Sequence, residues 1–100
     1  MTYARRTDSN HADIVAALRR VPGVHVQDVS SCPSFGADLI VRYQERAPML
    51  LEIKSTARSP LTASEKTARR AYGPYWARVE TFEQALEAIG ISAEPAPENW

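Results

Sequence analysis

The hexapeptide Met49-Leu50-Leu51-Glu52-Ile53-Lys54 constrains this chain more than any other stretch of it. It reads as a strand, but two opposite charges interrupt its apolar run, and burying charge there is costly unless the charges have partners or a task. Successive side chains on a strand alternate between faces, so Glu52 and Lys54 share one face and Ile53 points to the other. A second strand-like segment, Asp38-Leu39-Ile40-Val41-Arg42-Tyr43, precedes it. The five residues between them, Gln44 to Pro48, are polar or turn-tolerant, so an antiparallel hairpin is expected. Symmetric closure about that link sets Ile40 opposite Glu52 and Asp38 opposite Lys54, leaving Asp38 and Glu52 as diagonal neighbours on one face. A slip of one residue would turn Asp38 away, so their proximity depends on register.

Ahead of the hairpin, residues 1–8 read as an irregular arm. Ser9 or Asn10 caps a first helix running to about Arg20 on Ala12, Ala16, Ala17 and Leu18. Ile14, Leu18 and Val21 recur at helical spacing and mark its core stripe, and Pro22-Gly23 stops it. Residues 24–29 alternate as a short strand, followed by the loop SSCPSFGA with Pro33 and Gly36 as punctuation. After the hairpin, Thr62-Ala63-Ser64-Glu65 is a capping box opening a helix to about Tyr72. Gly73-Pro74 ends that helix and residues 75–79 form a short strand. Thr81-Phe82-Glu83-Gln84 is a second capping box, starting a last helix with Phe82, Leu86 and Ile89 inward and Gly90 as its stop. The expected order is αβββαβα, an α/β fold with a mixed, mostly antiparallel central sheet flanked by helices. Residues 1–90 form the domain and 91–100, rich in Pro and Glu, a flexible tail.

One hundred residues hold a single core, and a chain this short is a marginal monomer and a plausible dimer. Net charge is zero, which argues against holding nucleic acid by bulk electrostatics. Without the acidic tail, however, 12 basic side chains face 10 acidic ones, and the basic residues cluster at Arg5-Arg6, Arg19-Arg20, Lys54/Arg58 and Lys66/Arg69/Arg70. For any one of these pairs taken alone, a solvated helix face is the better account. No apolar run approaches the roughly 20 residues that span a bilayer. The N-terminus lacks a secretory h-region, and the lone Cys32 cannot form an internal disulfide. The expected location is the cytoplasm.

Two carboxylates at one strand end suit a hard divalent cation. Magnesium takes oxygen ligands octahedrally and needs only one or two protein carboxylates beside water and substrate phosphate. Asp38 and Glu52 are the candidate ligands, and the Ile53 carbonyl can add an oxygen. Such an ion lowers the pKa of a water and neutralises charge on a phosphorane-like transition state. Lys54 can orient the attacking water or stabilise that charge. The plain alternative is an edge hairpin whose Asp38, Glu52 and Lys54 form surface ion pairs, and spacing alone does not separate the two.

Asp38 followed by Glu52-x-Lys54 on the next strand resembles the PD-(D/E)XK nuclease signature. More narrowly, the layout over residues 5–90 is similar to the stand-alone VRR-NUC domains, many of them phage-encoded and similar to Holliday-junction resolvases. Arg6-x-Asp8-x-Asn10 leading into Asp13-Ile14-Val15-Ala16-Ala17-Leu18 resembles that group's first helix, and Gly36-x-Asp38-Leu39-Ile40-Val41 its G-x-P-D strand. Leu61-Thr62-x-x-Glu65 and Val79-x-x-x-Glu83-x-Ala85-Leu86 resemble its later helices. The resemblance implies a restriction-endonuclease-like core and Mg²⁺- or Mn²⁺-dependent cleavage of DNA, with branched or four-way-junction DNA as substrate. It also implies a homodimer with two sites cutting opposed strands. It carries Asp38, Glu52 and Lys54 as catalytic residues and Asp13 as a further one. Asp13 stands where the family has Glu, and its shorter side chain points to a water-mediated role. Ala37 replaces the family's Pro, and the glutamine often found on the helix after the Lys strand is missing, with Glu65 and Lys66 nearby.

Arg5, Arg6, Arg58, Lys66, Arg69 and Arg70 are the candidate DNA contacts. Asn10 lies one turn from Asp13 and reads as an N-cap. His11, His25 and Cys32 read as non-catalytic, and Tyr72, Tyr75 and Trp76 as core or dimer-face aromatics. Two other functions stay open: a DNA-binding or assembly module of the same fold that no longer cuts, and a nuclease acting on flaps or RNA.

Overall fold

The computed structural model describes residues 9–92. The arm with Arg5 and Arg6 and the end of the tail with Trp100 lie outside the described residues. Helix α1 (His11–Arg19) leads into strand β1 (Val24–Asp28), a short 3₁₀ turn (Pro33–Phe35), then β2 (Leu39–Tyr43) and β3 (Met49–Ile53). Helix α2 (Ala63–Tyr72), a second 3₁₀ turn (Gly73–Tyr75), β4 (Trp76–Val79) and α3 (Phe82–Ala88) complete it. The αβββαβα order stands as expected, and so does the mixed sheet. Its strand order is β1-β2-β3-β4, antiparallel at the first two junctions and parallel between β3 and β4. Among the described residues no helix is long and apolar enough to cross a membrane.

Strand alternation decides which helix covers which face. Val26, Leu39, Val41, Leu51, Ile53 and Val79 point to one side and pack against Ile14, Val15 and Leu18 of α1 and Ala85, Leu86 and Ile89. This is the main core, matching the stripes read from the two helices. The opposite face carries Leu50 and Trp76, covered by Ala68 of α2 together with Ala37. Asp38, Glu52 and Lys54 alternate with the core residues, so they fall on this second face beneath α2.

The hairpin register differs from symmetric closure by two residues. Leu39 pairs with Leu51, Ile40 with Leu50 and Val41 with Met49. Arg42 and Tyr43 run on past β3 because they pair instead with His25 and Val24 of β1. A shift of two preserves every face. Continued past Leu39, this register sets Asp38 opposite Glu52 rather than diagonal to it.

The second capping box is only half formed. Thr81 accepts from the Gln84 N–H at 3.1 Å, but the Gln84 side chain accepts from the Glu80 N–H at 2.7 Å, one residue earlier than the box requires. The first box is complete, with Thr62 at the cap and Glu65 returning the bond.

Gly36 sets the entry into the site. It sits at φ +80°, and a Cβ there would lie 2.5 Å from the Ala68 Cβ and 2.6 Å from the Ser64 carbonyl oxygen. Its own carbonyl accepts from the Trp76 indole N–H at 2.9 Å. Gly36→Ala therefore combines a left-handed backbone with overpacking against α2 backbone, and is expected to cost about 2–4 kcal/mol. A fall in the urea midpoint with unchanged slope is the check.

Candidate active site

Three elements converge on one buried cluster. The end of β3 supplies Glu52 and, just beyond the strand, Lys54. The lead into β2 supplies Asp38, and α2 supplies Glu65. All four are buried, Glu52 at 1% exposure, Glu65 at 2%, Asp38 at 4% and Lys54 at 8%. The Lys54 ammonium lies 2.9 Å from Glu65 Oε1 and 3.3 Å from Glu52 Oε2. Asp38 Oδ2 accepts from the Ile53 N–H at 2.8 Å, while the Asp38 N–H donates to the Leu51 carbonyl at 2.9 Å. Asp38 is thus stitched to β3 by backbone and side chain together, which fixes its carboxylate beside Glu52.

Charge does not balance here. Three carboxylates share the space with one ammonium. Burial, followed by the charges of Asp38 and Glu65, pushes the Glu52 carboxyl up from 4.5 to about 8 against the pull of Lys54. Glu65 moves the opposite way. Burial alone would raise it, but the Thr62 N–H and Lys54 hold it below the usual carboxylate range. Lys54 stays charged: its burial cost is outweighed by the Glu65 hydrogen bond and the two acidic neighbours, which raise it above its ordinary value. Among the described residues, Glu52 Oε1 is buried with no hydrogen-bond partner. While Glu52 keeps its proton, its carboxyl shares a hydrogen bond with Glu65, which also helps to lower Glu65.

Glu65 is the site member that sequence reasoning missed. Its Oε1 accepts from the Thr62 N–H at 2.9 Å and from Lys54 at 2.9 Å, so one carboxylate closes the α2 capping box and holds the lysine. In the sequence Glu65 stands near the place of the family's missing glutamine and reads as a cap, and only the fold brings its carboxylate to Lys54.

Asn10 also differs from expectation. It occupies the N-cap position of α1 without a side-chain cap bond. Its amide instead donates to the Lys54 carbonyl at 3.2 Å and the Glu80 carbonyl at 2.7 Å, tying α1 to the ends of β3 and β4. Asp13 is exposed on α1 and is not brought into the cluster. The Ile53 side chain belongs to the core on the far face.

Other candidates separate cleanly. Lys66, Arg69 and Arg70 are exposed on α2, and Arg58 is exposed in the loop before it. His11 is buried and pairs with Asp28 at 3.0 Å. Burial would raise Asp28, but the Ser30 hydroxyl, His11 and the Ser30 N–H together lower it to about 2. That group lies on the α1 side of the sheet, away from Glu52. His25 and Cys32 are exposed. Trp76 is core, whereas Tyr72 and Tyr75 are on the surface.

Among the described residues, no group of three or more His, Cys, Asp or Glu stands gathered as a ready metal site. The donor chemistry nevertheless fits a hard dication, because Asp38 and Glu52 are two carboxylates of one cluster and, among the described residues, Glu52 Oε1 has no hydrogen-bond partner. Magnesium asks for little more from protein. No protein-family model, curated protein or solved structure matches this chain.

Proposed function

We propose that this domain is a divalent-metal-dependent nuclease that hydrolyses DNA phosphodiesters at Asp38, Glu52 and Lys54. The αβββαβα order and mixed four-stranded sheet are compatible with a restriction-endonuclease-like core, and we read the fold as one. One observation carries the proposal: a buried excess of carboxyl groups around Lys54, in which, among the described residues, Glu52 Oε1 has no hydrogen-bond partner. A purely structural cluster would be expected to satisfy its buried oxygens.

Asp38 and Glu52 would hold the ion, with the Ile53 carbonyl as an additional donor. When bound, the ion supplies Lewis acidity toward the phosphate and brings a water within reach of deprotonation near neutral pH. The chain's own groups do the rest. The Ile53 N–H fixes Asp38 Oδ2, so the carboxylate is oriented before substrate arrives. Glu65 and Glu52 keep the Lys54 ammonium charged and directed at the acidic centre, where it stabilises negative charge developing on phosphate. On α2, Arg69 follows Glu65 by four residues and stands on the same side of the helix. Lys66 lies about 100° and Arg70 about 140° round the helix from Glu65, on its outer flank. Arg69 is thus the α2 cation nearest the Glu65 side, and the three together give the exposed flank of α2 a positive charge that suits a phosphate backbone.

Branched DNA is proposed as the substrate, with a homodimer placing two sites on opposed strands. The test is cleavage of linear duplex, flap and four-way-junction DNA with and without Mg²⁺. Cutting of the junction only with metal is expected. A pure protein that cuts none of them and binds no divalent ion overturns the proposal, and a monomer in sedimentation at micromolar concentration removes the paired cut.

One observation favours a second reading. Lys54 is already paired with two carboxylates, as a buried ion-pair pin would be. On that reading the domain binds DNA without cutting it, and the same assays would show affinity without products.

A further inference from the structure

The loop after Lys54 is built, not slack. Residues 56–59 form a tight turn in which the Ser59 N–H donates to the Thr56 carbonyl at 3.2 Å and the Thr56 and Ser59 hydroxyls lie 3.1 Å apart. The guanidinium of Arg78, on the neighbouring strand β4, grips both ends of the turn. Its Nη2 donates to the Thr56 carbonyl at 2.6 Å and the Ser59 carbonyl at 3.1 Å, while Nη1 is held by Glu80 Oε2 at 2.6 Å. One planar fork thus joins two carbonyls and a carboxylate, a geometry that a lysine's point charge does not reproduce.

Arg78 is also the register partner of Glu52, and side chains of paired residues leave a sheet on the same face. It would be expected to neutralise that carboxylate. The Glu52 carboxylate meets Lys54 instead, and the Arg78 guanidinium is directed to the turn and Glu80. The turn tip displays Ala57 and Arg58, both exposed. Arg58 follows Lys54 by four residues, so their Cα atoms are at most about 14 Å apart. That span corresponds to about four base-pair steps along the axis of a duplex.

We propose that Arg78 is a positioning residue: by clamping the Thr56–Ser59 turn, it presents Arg58 to the backbone phosphate of DNA lying across the Asp38–Glu52–Lys54 site. The proposal rests on the nuclease reading for the placement of the substrate, but its core is a statement about DNA binding. A rigid turn lets Arg58 bind phosphate without the ordering cost of a loose loop.

The test is a double-mutant cycle on the affinity for four-way-junction DNA, measured without divalent metal so that no cutting intervenes. Arg58→Gln and Arg78→Gln are each expected to weaken binding about 3–10-fold and to reduce the salt slope by about 1. The double variant is expected to be no weaker than Arg58→Gln alone, since a clamp has nothing to present once Arg58 is gone. Arg78→Lys should not rescue, and amide exchange at residues 56–59 should accelerate in the Arg78 variants. If the two losses multiply, or if Arg78→Gln lowers only thermal stability, the proposal is overturned. If wild type binds and the cycle is coupled but nothing is cut in Mg²⁺, the clamp stands and the nuclease reading falls. If wild type binds no DNA, both fall.

Discussion

Replacing Lys54 with alanine is expected to lower phosphodiester cleavage by about 100–1000-fold, the usual cost of losing one preorganised group aimed at transition-state charge. Lys54 is the cation in contact with both Glu52 and Glu65. Its loss removes the stabilisation of charge on phosphate and also leaves the acidic cluster uncompensated. Breaking a buried pair can cost about 3–5 kcal/mol, so a dead alanine variant must be shown to be folded. Lys54→Gln supplies the control, since its amide keeps a donor for Glu65 and much of the volume. Arginine is a poorer choice, because a planar fork does not replace a point charge in a space this enclosed. The measurement is initial cleavage rate beside circular dichroism and the thermal midpoint. A folded Lys54→Gln that cuts at least about 100-fold more slowly supports the assigned role. If Lys54→Ala cuts as fast as wild type, the chemistry lies elsewhere in the chain even though the activity stands.

The fold was legible in the sequence wherever local chemistry decides it. Pro22-Gly23 and Gly73-Pro74 end their helices, and the Thr62/Glu65 box starts α2 where expected. Register was less legible, because the length of β2 is set by β1. Arg42 and Tyr43 outrun β3 by pairing with His25 and Val24, a competition that the hairpin link does not show. The faces still came out right, because the error was two residues and strand periodicity is two. Asp38, Glu52 and Lys54 could therefore be grouped from alternation alone. The residues around them could not. Asn10 reaches Lys54 across 44 positions and Glu80 across 70. Arg78 meets the 56–59 turn only because β4 returns parallel to β3. Contacts of that range leave no local signature, whereas the cap that Glu65 forms and the one that Asn10 only resembles leave a clear one.

The metal-free protein is expected to lose stability as pH rises between 4.5 and 8, and Glu52 is the reason. Its carboxyl sits at about 8 in the folded chain against an ordinary 4.5, raised by burial first and by Asp38 and Glu65 after it. Within that window the folded state holds a proton that the unfolded state has released, so unfolding is favoured by each added pH unit. The contribution is complete below 4.5 and is lost as pH climbs through 8. Glu65 is shifted in the opposite direction, below its ordinary value, so its stabilisation is lost only in acid and does not offset the decline. One bound proton changes stability by about 1.4 kcal/mol per pH unit, a large slope for a domain whose total is on the order of 5–15 kcal/mol. In chelator, the thermal midpoint should fall by about 10 °C or more between pH 5.5 and 7.5. Glu52→Gln keeps the shape and removes the charge, so its curve should be flatter and lie above wild type at pH 8. Because Glu52 acts on Asp38, Glu65 and Lys54 in turn, the difference between the two curves reports the titration of that cluster, free of the groups outside it. Parallel curves would mean that Glu52 is ionised and compensated in the folded chain, and the buried charge imbalance that motivates a cation at Asp38 and Glu52 would go with them.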